Sequence, residues 1–450
     1  MTDGEIVRAA THGAIGSRDA GRDVGGAAPG FAAATAFLEC VHCGLCHSAC
    51  PTYLELGTEA DSPRGRIHLM AALQAGTLTL DAAAVRHLDL CLGCRGCETA
   101  CPSGVQYGSL IEAARPWIEA RYRRPLATRF RRRLALAVLP YRARLRLALA
   151  PLRLLERVGV LAAVGRLQSR LPARWRYRAH LLPKPLPPVA VVPIATPARG
   201  AERMHVQLLV GCVMPEMFGD TVRSTLDVLA RNGCWVTAPA DQRCCGALAL
   251  HAGDRAAATR LARANVDAFQ PAAATTIPLV VNAAGCGAMM KEYGDLLADD
   301  PAYAARAARL AARVEDATEL LARVAPTAPP AALPPCRIAY HDPCHLAHAQ
   351  GIRRQPRALL ESIAGVTLVT MADEDLCCGS AGHYNIMHPD LAERLVARKV
   401  EAIRASGADV VATANSGCAL QLEAGLRAAG VAVRVRHVLD ILAEAYRRGE

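Results

Sequence analysis

Aromatic residues make up only 4% of this 450-residue chain, although 52% of it is hydrophobic. The cores must therefore be filled by Ala, Leu and Val, and the length allows two to four domains. No uncharged apolar stretch reaches the roughly eighteen residues that a spanning helix needs, which excludes a transmembrane segment. Residues 1–30 contain no apolar run of the kind a secretory signal requires, and their Gly- and Ala-rich polar composition reads as a disordered leader. No Gly-rich dinucleotide fingerprint or phosphate loop precedes a helix, so no site for flavin or nicotinamide is evident. Cysteine, by contrast, is plentiful: the chain has 18. In a long chain without a visible secretion signal, C-x2-C clusters read as metal ligands in a reducing compartment rather than as disulfides.

Eight cysteines fall in two runs with one spacing. Cys40-Val-His-Cys43-Gly-Leu-Cys46-His-Ser-Ala-Cys50-Pro51 and Cys91-Leu-Gly-Cys94-Arg-Gly-Cys97-Glu-Thr-Ala-Cys101-Pro102 both read C-x2-C-x2-C-x3-C-P. In this ferredoxin spacing three cysteines hold one [4Fe–4S] cube and the fourth ligates the other. Two-residue gaps let a tight loop present three thiolates to one cube. The fourth cysteine lies where a helix begins, and the proline suits the first helical position. Cys40, Cys43, Cys46 and Cys101 are therefore assigned to one cluster, and Cys91, Cys94, Cys97 and Cys50 to the other. Two structural zinc sites are the alternative, but zinc takes its four ligands from two pairs and has no use for an eight-cysteine interlock.

Around these runs the sequence predicts short helices at about 31–39, 67–75, 81–90 and 108–123, a small helical module spanning 31–120. Residues 121–200 differ. Between 121 and 185 there are seventeen Arg and one Lys against a single acid, Glu156, a local charge of +17. The overall charge is +11, so the rest of the chain carries −6. Arg129, Arg131, Arg132 and Arg133, then Arg142, Arg144 and Arg146, alternate with apolar residues at helical spacing. Such basic amphipathic helices lie on anionic membrane surfaces or dock on acidic partners. A solvated linker is the plainer reading. Nucleic acid is disfavoured because no recognition motif accompanies the charge. The proline-rich stretch 183–197 marks a boundary.

From about 203 strand and helix alternate, and a pattern occurs twice. In the first copy, at 201–325, 31 residues separate Cys212 from Cys244, and 40 separate Cys245 from Cys286. In the second, at 326–450, 32 separate Cys344 from Cys377, and 39 separate Cys378 from Cys418. Each cysteine follows an apolar strand, and each Cys-Cys pair is followed by a glycine that lets the chain turn sharply. Open α/β sheets gather ligands at these strand ends. The expected fold is thus α plus α/β: a helical two-cluster ferredoxin-like domain followed by a duplicated α/β Cys-Cys-Gly domain. The eight cysteines of the repeat could hold a further iron–sulfur cluster or a zinc, or form a redox dithiol. His341, His345, His348 and His383 could be ligands or proton carriers, although loop histidines more often only hydrogen-bond. Asp342 and Glu292 take the same plain reading.

Two ferredoxin runs followed by two Cys-Cys-Gly modules resemble the iron–sulfur subunits of bacterial glycolate oxidases. Cys40–Cys46, Pro63-Arg64-Gly65-Arg66-Ile67, the stretch 97–105, Gly285-Cys286-Gly287-Ala288 with Lys291-Glu292-Tyr293-Gly294, and 377–382 with 388–392 carry the likeness. Related subunits serve lactate utilisation, anaerobic glycerol-3-phosphate dehydrogenase and heterodisulfide reductase. The resemblance implies an electron carrier with no catalytic residues of its own. FAD-containing partner subunits would oxidise glycolate to glyoxylate, and this chain would pass the electrons to quinone or another membrane acceptor. It would sit peripherally on the cytoplasmic side of the inner membrane. A thiol–disulfide reductase is the rival activity. Against it, heterodisulfide reductases carry a fifth cysteine where this chain has Ala283 and Asn415.

Overall fold

The computed structural model describes residues 31–450 apart from 32–33, 160–176, 178–179, 182–185, 271–275, 325 and 328. The expected leader at 1–30 lies outside the described residues, as does much of the basic segment beyond 159. The first part is helical: α1 (Ala34–Leu38), α2 (Pro51–Leu56), α3 (Pro63–Gln74), α4 (Ala82–Asp89), α5 (Gly96–Thr99) and α6 (Tyr107–Arg121). Pro51 opens α2 directly after Cys50, at the position where a missing N–H costs nothing. At α3 the Ser62 hydroxyl accepts from the Gly65 N–H at 2.9 Å and Pro63 supplies the first helical residue. Gly65 must be glycine, because a Cβ there would sit 1.9 Å from the Glu59 carbonyl oxygen. Ile67, Met70 and Leu73 of α3 pack with Val85, Leu88, Leu110, Ile111 and Ile118 into one apolar core around the cysteine runs. The basic segment then forms two helices in contact, α7 (Leu126–Val138) and α8 (Arg142–Arg157).

Two sheets follow. The first has the order β1-β3-β2-β4-β5, made by β1 (Ala195–Thr196), β2 (Met204–Leu209), β3 (Cys234–Thr237), β4 (Leu279–Val281) and β5 (Val314–Asp316). The second is β7-β6-β8-β9, from β6 (Cys336–Tyr340), β7 (Val366–Val369), β8 (Val410–Thr413) and β9 (Arg434–His437). Apart from β1, which is antiparallel to β3, every pairing is parallel. β3-β2-β4-β5 and β7-β6-β8-β9 have one connectivity, so the cysteine intervals and the sheet order repeat together. The last strand, expected at 432–435, forms two residues later. The short β1 and β5 have no counterpart in the sequence reading.

Besides a core of its own, each copy contributes to a shared one. Val206, Leu208, Leu229 and Val236 of the first pack with Ile338, Val410, Leu439 and Leu442 of the second in a single cluster. Thr221 donates to Asp440 at 2.8 Å across this contact, and His437 Nε2 lies 3.1 Å from the Asn282 carbonyl. The C-terminal strand ends of the two sheets also meet: the Ala284 N–H donates to the Ala414 carbonyl at 3.3 Å. All the Cys-Cys-Gly loops therefore face one another.

Candidate iron–sulfur and Cys-Cys-Gly sites

Cys40, Cys43, Cys46 and Cys101 line one cavity, whose wall Cys97 also reaches. Cys50, Cys91, Cys94 and Cys97 line a second. Pro63, Cys97 and Tyr107 belong to both, so the cavities share a wall, and each takes its fourth cysteine from the other run. The loops coil alike. His42 and Gly44 in the first, and Gly93 and Arg95 in the second, have φ between 56° and 82°. Left-handed residues at these matching positions let a short loop curl its thiols inward. A thiol-only donor set of four, within a loop of this spacing, suits a [4Fe–4S] cube.

The quoted motif at 63–66 has a physical role that spacing did not disclose. Arg64 donates to the His42 carbonyl at 2.7 Å and pairs with Glu59, tying α3 to the first loop. Arg66 is buried, 1% exposed. It donates to the His87 carbonyl at 2.7 Å and to Thr52 at 3.0 Å, lies 3.6 Å from Asp61, and approaches Cys50 Sγ at 3.9 Å. Burial opposes the Arg66 charge, but Tyr107, Cys91, Cys50 and Asp61 outweigh it and hold the guanidinium pKa above its ordinary value. Burial likewise pushes the Cys91 thiol up, yet Arg66 and Arg115 prevail and hold it below the usual range. The Tyr107 hydroxyl adds a hydrogen bond to Cys91 Sγ at 3.5 Å. At least one ligand of the second cavity is thus biased towards the thiolate that iron requires.

All eight Cys-Cys-Gly cysteines line one further cavity of about 440 Å³. Cys212 and Cys244 Sγ are 3.4 Å apart, and Cys344 and Cys377 Sγ 4.0 Å. The copies are not equivalent chemically. Three residues before its first cysteine the first copy has Leu209 and the second has His341, fully buried beside Cys378 and Cys418. Ligand atoms of these three lie within 4.8 Å of one another, a spacing that could hold a metal ion. Neither His341 ring nitrogen has a hydrogen-bond partner among the described residues. Gly246 and Gly379 pack in the same way on Ala258 and Ala392. Counted from those alanines, Lys399 takes the place of Asn265. Lys399 is 1% exposed, donates to the Asp373 carbonyl, and faces Cys377 and Cys378 electrostatically. The second copy alone thus buries a lysine beside its Cys-Cys pair.

The other candidates hold the second loop in place. His345 Nε2 donates to the Gly93 carbonyl at 3.0 Å, His348 Nδ1 accepts from Thr99 at 2.9 Å, and Arg95 pairs with Glu292. Leu90, Leu92 and Cys94 pack with Cys344 and Cys377 in one apolar cluster. Asp342 accepts two bonds from Arg357, at 2.9 and 2.8 Å. Burial holds the pKa of His383 down, at about 3. The second ferredoxin loop thus abuts the second Cys-Cys-Gly copy directly.

The basic segment is divided. Arg142 and Arg146 face fully buried Glu216, Arg153 donates to the Glu216 carbonyl, and Arg124 and Arg132 pair with Glu119. Leu145 and Leu149 pack on Met217. The opposite side of the pair is open: Leu126, Phe130 and Leu134, one turn apart on α7, are exposed, as are Leu147 and Leu154 on α8 and Val158 just beyond its end. Among the described residues no carboxylate pairs with Arg129, Arg131, Arg133 or Arg144, which lie beside them. No described helix is long and apolar enough to cross a membrane.

Comparison with known proteins agrees with this layout. A 4Fe-4S dicluster domain model matches residues 36–105, and a cysteine-rich domain model matches 206–291 and 338–423. The chain is 38% identical to the probable glycolate oxidase iron-sulfur subunit of Bacillus subtilis over 91% of this chain and 94% of that one. It is 36% identical to the glycolate oxidase iron-sulfur subunit of Escherichia coli, over 90% and 93%. Lactate utilization protein A of Shouchella clausii is 31% identical over 53% of this chain and 98% of its own length. With two thiol-lined cavities sharing a wall, two Cys-Cys-Gly copies opening on a third, and these relatives, the chain belongs to the glycolate oxidase iron–sulfur subunit family.

Proposed function

We propose that this chain carries electrons away from FAD-containing partner subunits that oxidise glycolate to glyoxylate, and delivers them to a membrane acceptor such as quinone. The observation that carries this reading is continuity. The Cys40/Cys43/Cys46/Cys101 cavity shares Cys97 with the Cys91/Cys94/Cys97/Cys50 cavity, and Cys94 packs against Cys344 and Cys377. When bound in the first two, [4Fe–4S] clusters would supply one-electron storage at potentials set by ligation, hydrogen bonding and burial. The chain's own residues keep the ligands ready. Arg66, Arg115 and Tyr107 favour thiolate at Cys91, and Arg64 holds the first loop. In this reading 31–120 is the cluster module, 121–200 a basic connection, and 201–325 and 326–450 are the Cys-Cys-Gly modules. Cys212, Cys244, Cys245, Cys286, Cys344, Cys377, Cys378 and Cys418 form a further metal or redox centre. The exposed leucines and unpaired arginines of α7 and α8 hold the complex to the anionic inner leaflet.

Anaerobic purification with iron and sulfide analysis tests the core of this. Two cubes give about eight irons per chain, and more if the Cys-Cys-Gly sites are filled with clusters. A colourless, iron-free chain that is still folded would end the proposal. Similarity to lactate utilization protein A favours a second substrate, lactate. Because the hydroxy acid meets the flavin subunit, supplying glycolate and lactate in turn to the assembled complex separates the two.

A further inference from the structure

The cavity between the Cys-Cys-Gly copies is larger and more apolar than thiol ligation alone calls for. Its volume of about 440 Å³ falls within the range of small-molecule sites, roughly 300–1,000 Å³. Leu145, Leu149, Met217, Leu248 and Leu420 form an aliphatic part of its wall, and the eight thiols form another part. Aliphatic walls beside thiol sulfur suit a ligand with a reducible ring and an apolar tail.

Three placements identify the occupant. The mouth is bounded by Ala148 and Ile386, both exposed, so it opens beside α8. The outer side of that helix and of α7 carries exposed leucines among arginines that have no carboxylate partner among the described residues, which is the composition of a surface lying on anionic lipid. A ligand dissolved in the bilayer would enter from that side. Leu92, also on the lining, belongs to the apolar cluster that joins Cys94 to Cys344 and Cys377. Proton-carrying groups are also present. His251 and His345 line the cavity with ring centroids 5.3 Å apart, and His251 Nδ1 lies 3.5 Å from Glu112. Behind them a polar cavity containing Asp89, Glu119 and His388 shares His251 with this one.

We infer that the aliphatic end of this cavity, on the α8 side of the eight thiols, binds the ring and first part of the tail of a lipid-soluble quinone. The inference rests on the electron-carrier reading and gives it a terminal site. Each ring takes up two electrons, delivered singly by the relay from the oxidised hydroxy acid, and two protons by way of His251 and Glu112, so both carbonyls become hydroxyls.

Photolabelling tests the site without any electron transfer. The full chain, purified with its iron, is bound to phosphatidylethanolamine–phosphatidylglycerol vesicles and illuminated with an azido-benzoquinone bearing a decyl tail. The expected label lies on the peptides around residues 145–149 and 244–251 and is displaced by excess decylquinone. Ala148→Trp and Ile386→Trp, both at exposed positions that tolerate a large side chain, each lower it about tenfold by filling the mouth. Val191→Trp, an exposed position away from the cavity, leaves it unchanged. Label spread along the outer face of α7 and α8, or insensitive to both mouth variants, would overturn the inference. Because the label needs no reduced cluster, its failure is distinct from failure of the relay, which hydroxy-acid-driven ferricyanide reduction by the complex reports separately.

Discussion

Replacing Arg66 by Met is the sharpest test of how the ferredoxin loops are held. The guanidinium is 1% exposed and joins three segments: the His87 carbonyl before the second run, Thr52 after the first, and Asp61 in the turn before α3. Methionine fills much of the space but restores none of these bonds. It leaves Asp61, itself 1% exposed, with the His87 ring at 2.9 Å as its side-chain partner. Removing one partner of a buried charge pair costs about 3–5 kcal/mol, mostly because the remaining charge is left uncompensated. Removing both costs less, so Arg66→Met with Asp61→Asn should recover about 1–3 kcal/mol, the coupling expected for groups in contact. Anaerobic urea unfolding of the four proteins, followed by helix signal and by iron absorbance, measures both quantities. If Arg66→Met alone costs less than about 1 kcal/mol, a surface-pair value, or if the second substitution recovers nothing, the argument that this cation ties the loops together is wrong. Arg66→Lys should fall between, since an ammonium cannot span the same fork of acceptors.

Cys94→Ser should lower bound iron by about half and abolish acceptor reduction by the complex while the flavin subunit still binds its hydroxy acid; undiminished reduction would refute the relay. Asp316 is buried with one carboxylate oxygen unbonded, and burial raises its pKa to about 6. The folded protein therefore holds this proton where the unfolded chain has lost it. Stability from this group falls as pH rises from about 4 through 6, by about 3 kcal/mol in all. Asp316→Asn should flatten that slope in unfolding curves taken across the window. Glu59 shows the opposite sign: hydrogen bonding from Arg64 lowers its pKa to about 2. Its contribution is present above the unfolded value and disappears only as pH falls towards 2, so Glu59→Gln should matter at pH 7 and not at pH 2. Reversing Arg129, Arg131 and Arg133 to Glu should weaken binding to anionic vesicles by at least about 3 kcal/mol, near 1 kcal/mol per basic residue. Flotation at two salt concentrations checks this, and unchanged binding would assign the segment to a linker.

The two cysteine runs and the duplicated module were legible because their signals are local or periodic. A loop wrapped around one cube needs its ligands at fixed intervals, and a duplication preserves intervals. The short edge strands Ala195–Thr196 and Val314–Asp316 gave no such signal, being too brief to show alternation or a buried run. Arg66 looked like part of a family motif; only burial made it a three-way tie. The basic segment read as uniform, yet Glu216 and Glu119, distant in sequence or on the preceding helix, neutralise one side of it and leave the other open.

The amino-acid order by itself determined that two cysteine runs share one spacing, that the second half is built twice, and where positive charge concentrates, since each depends on neighbours along the chain. Tertiary packing decided that both Cys-Cys-Gly copies open on one apolar cavity, that Cys94 abuts Cys344 and Cys377, and that a buried Lys399 and His341 make the second copy unlike the first. The first two are contacts between segments far apart in the sequence. They arise because two sheets with one topology bury a common core and so turn their strand ends towards each other, a consequence of burial that no local spacing encodes.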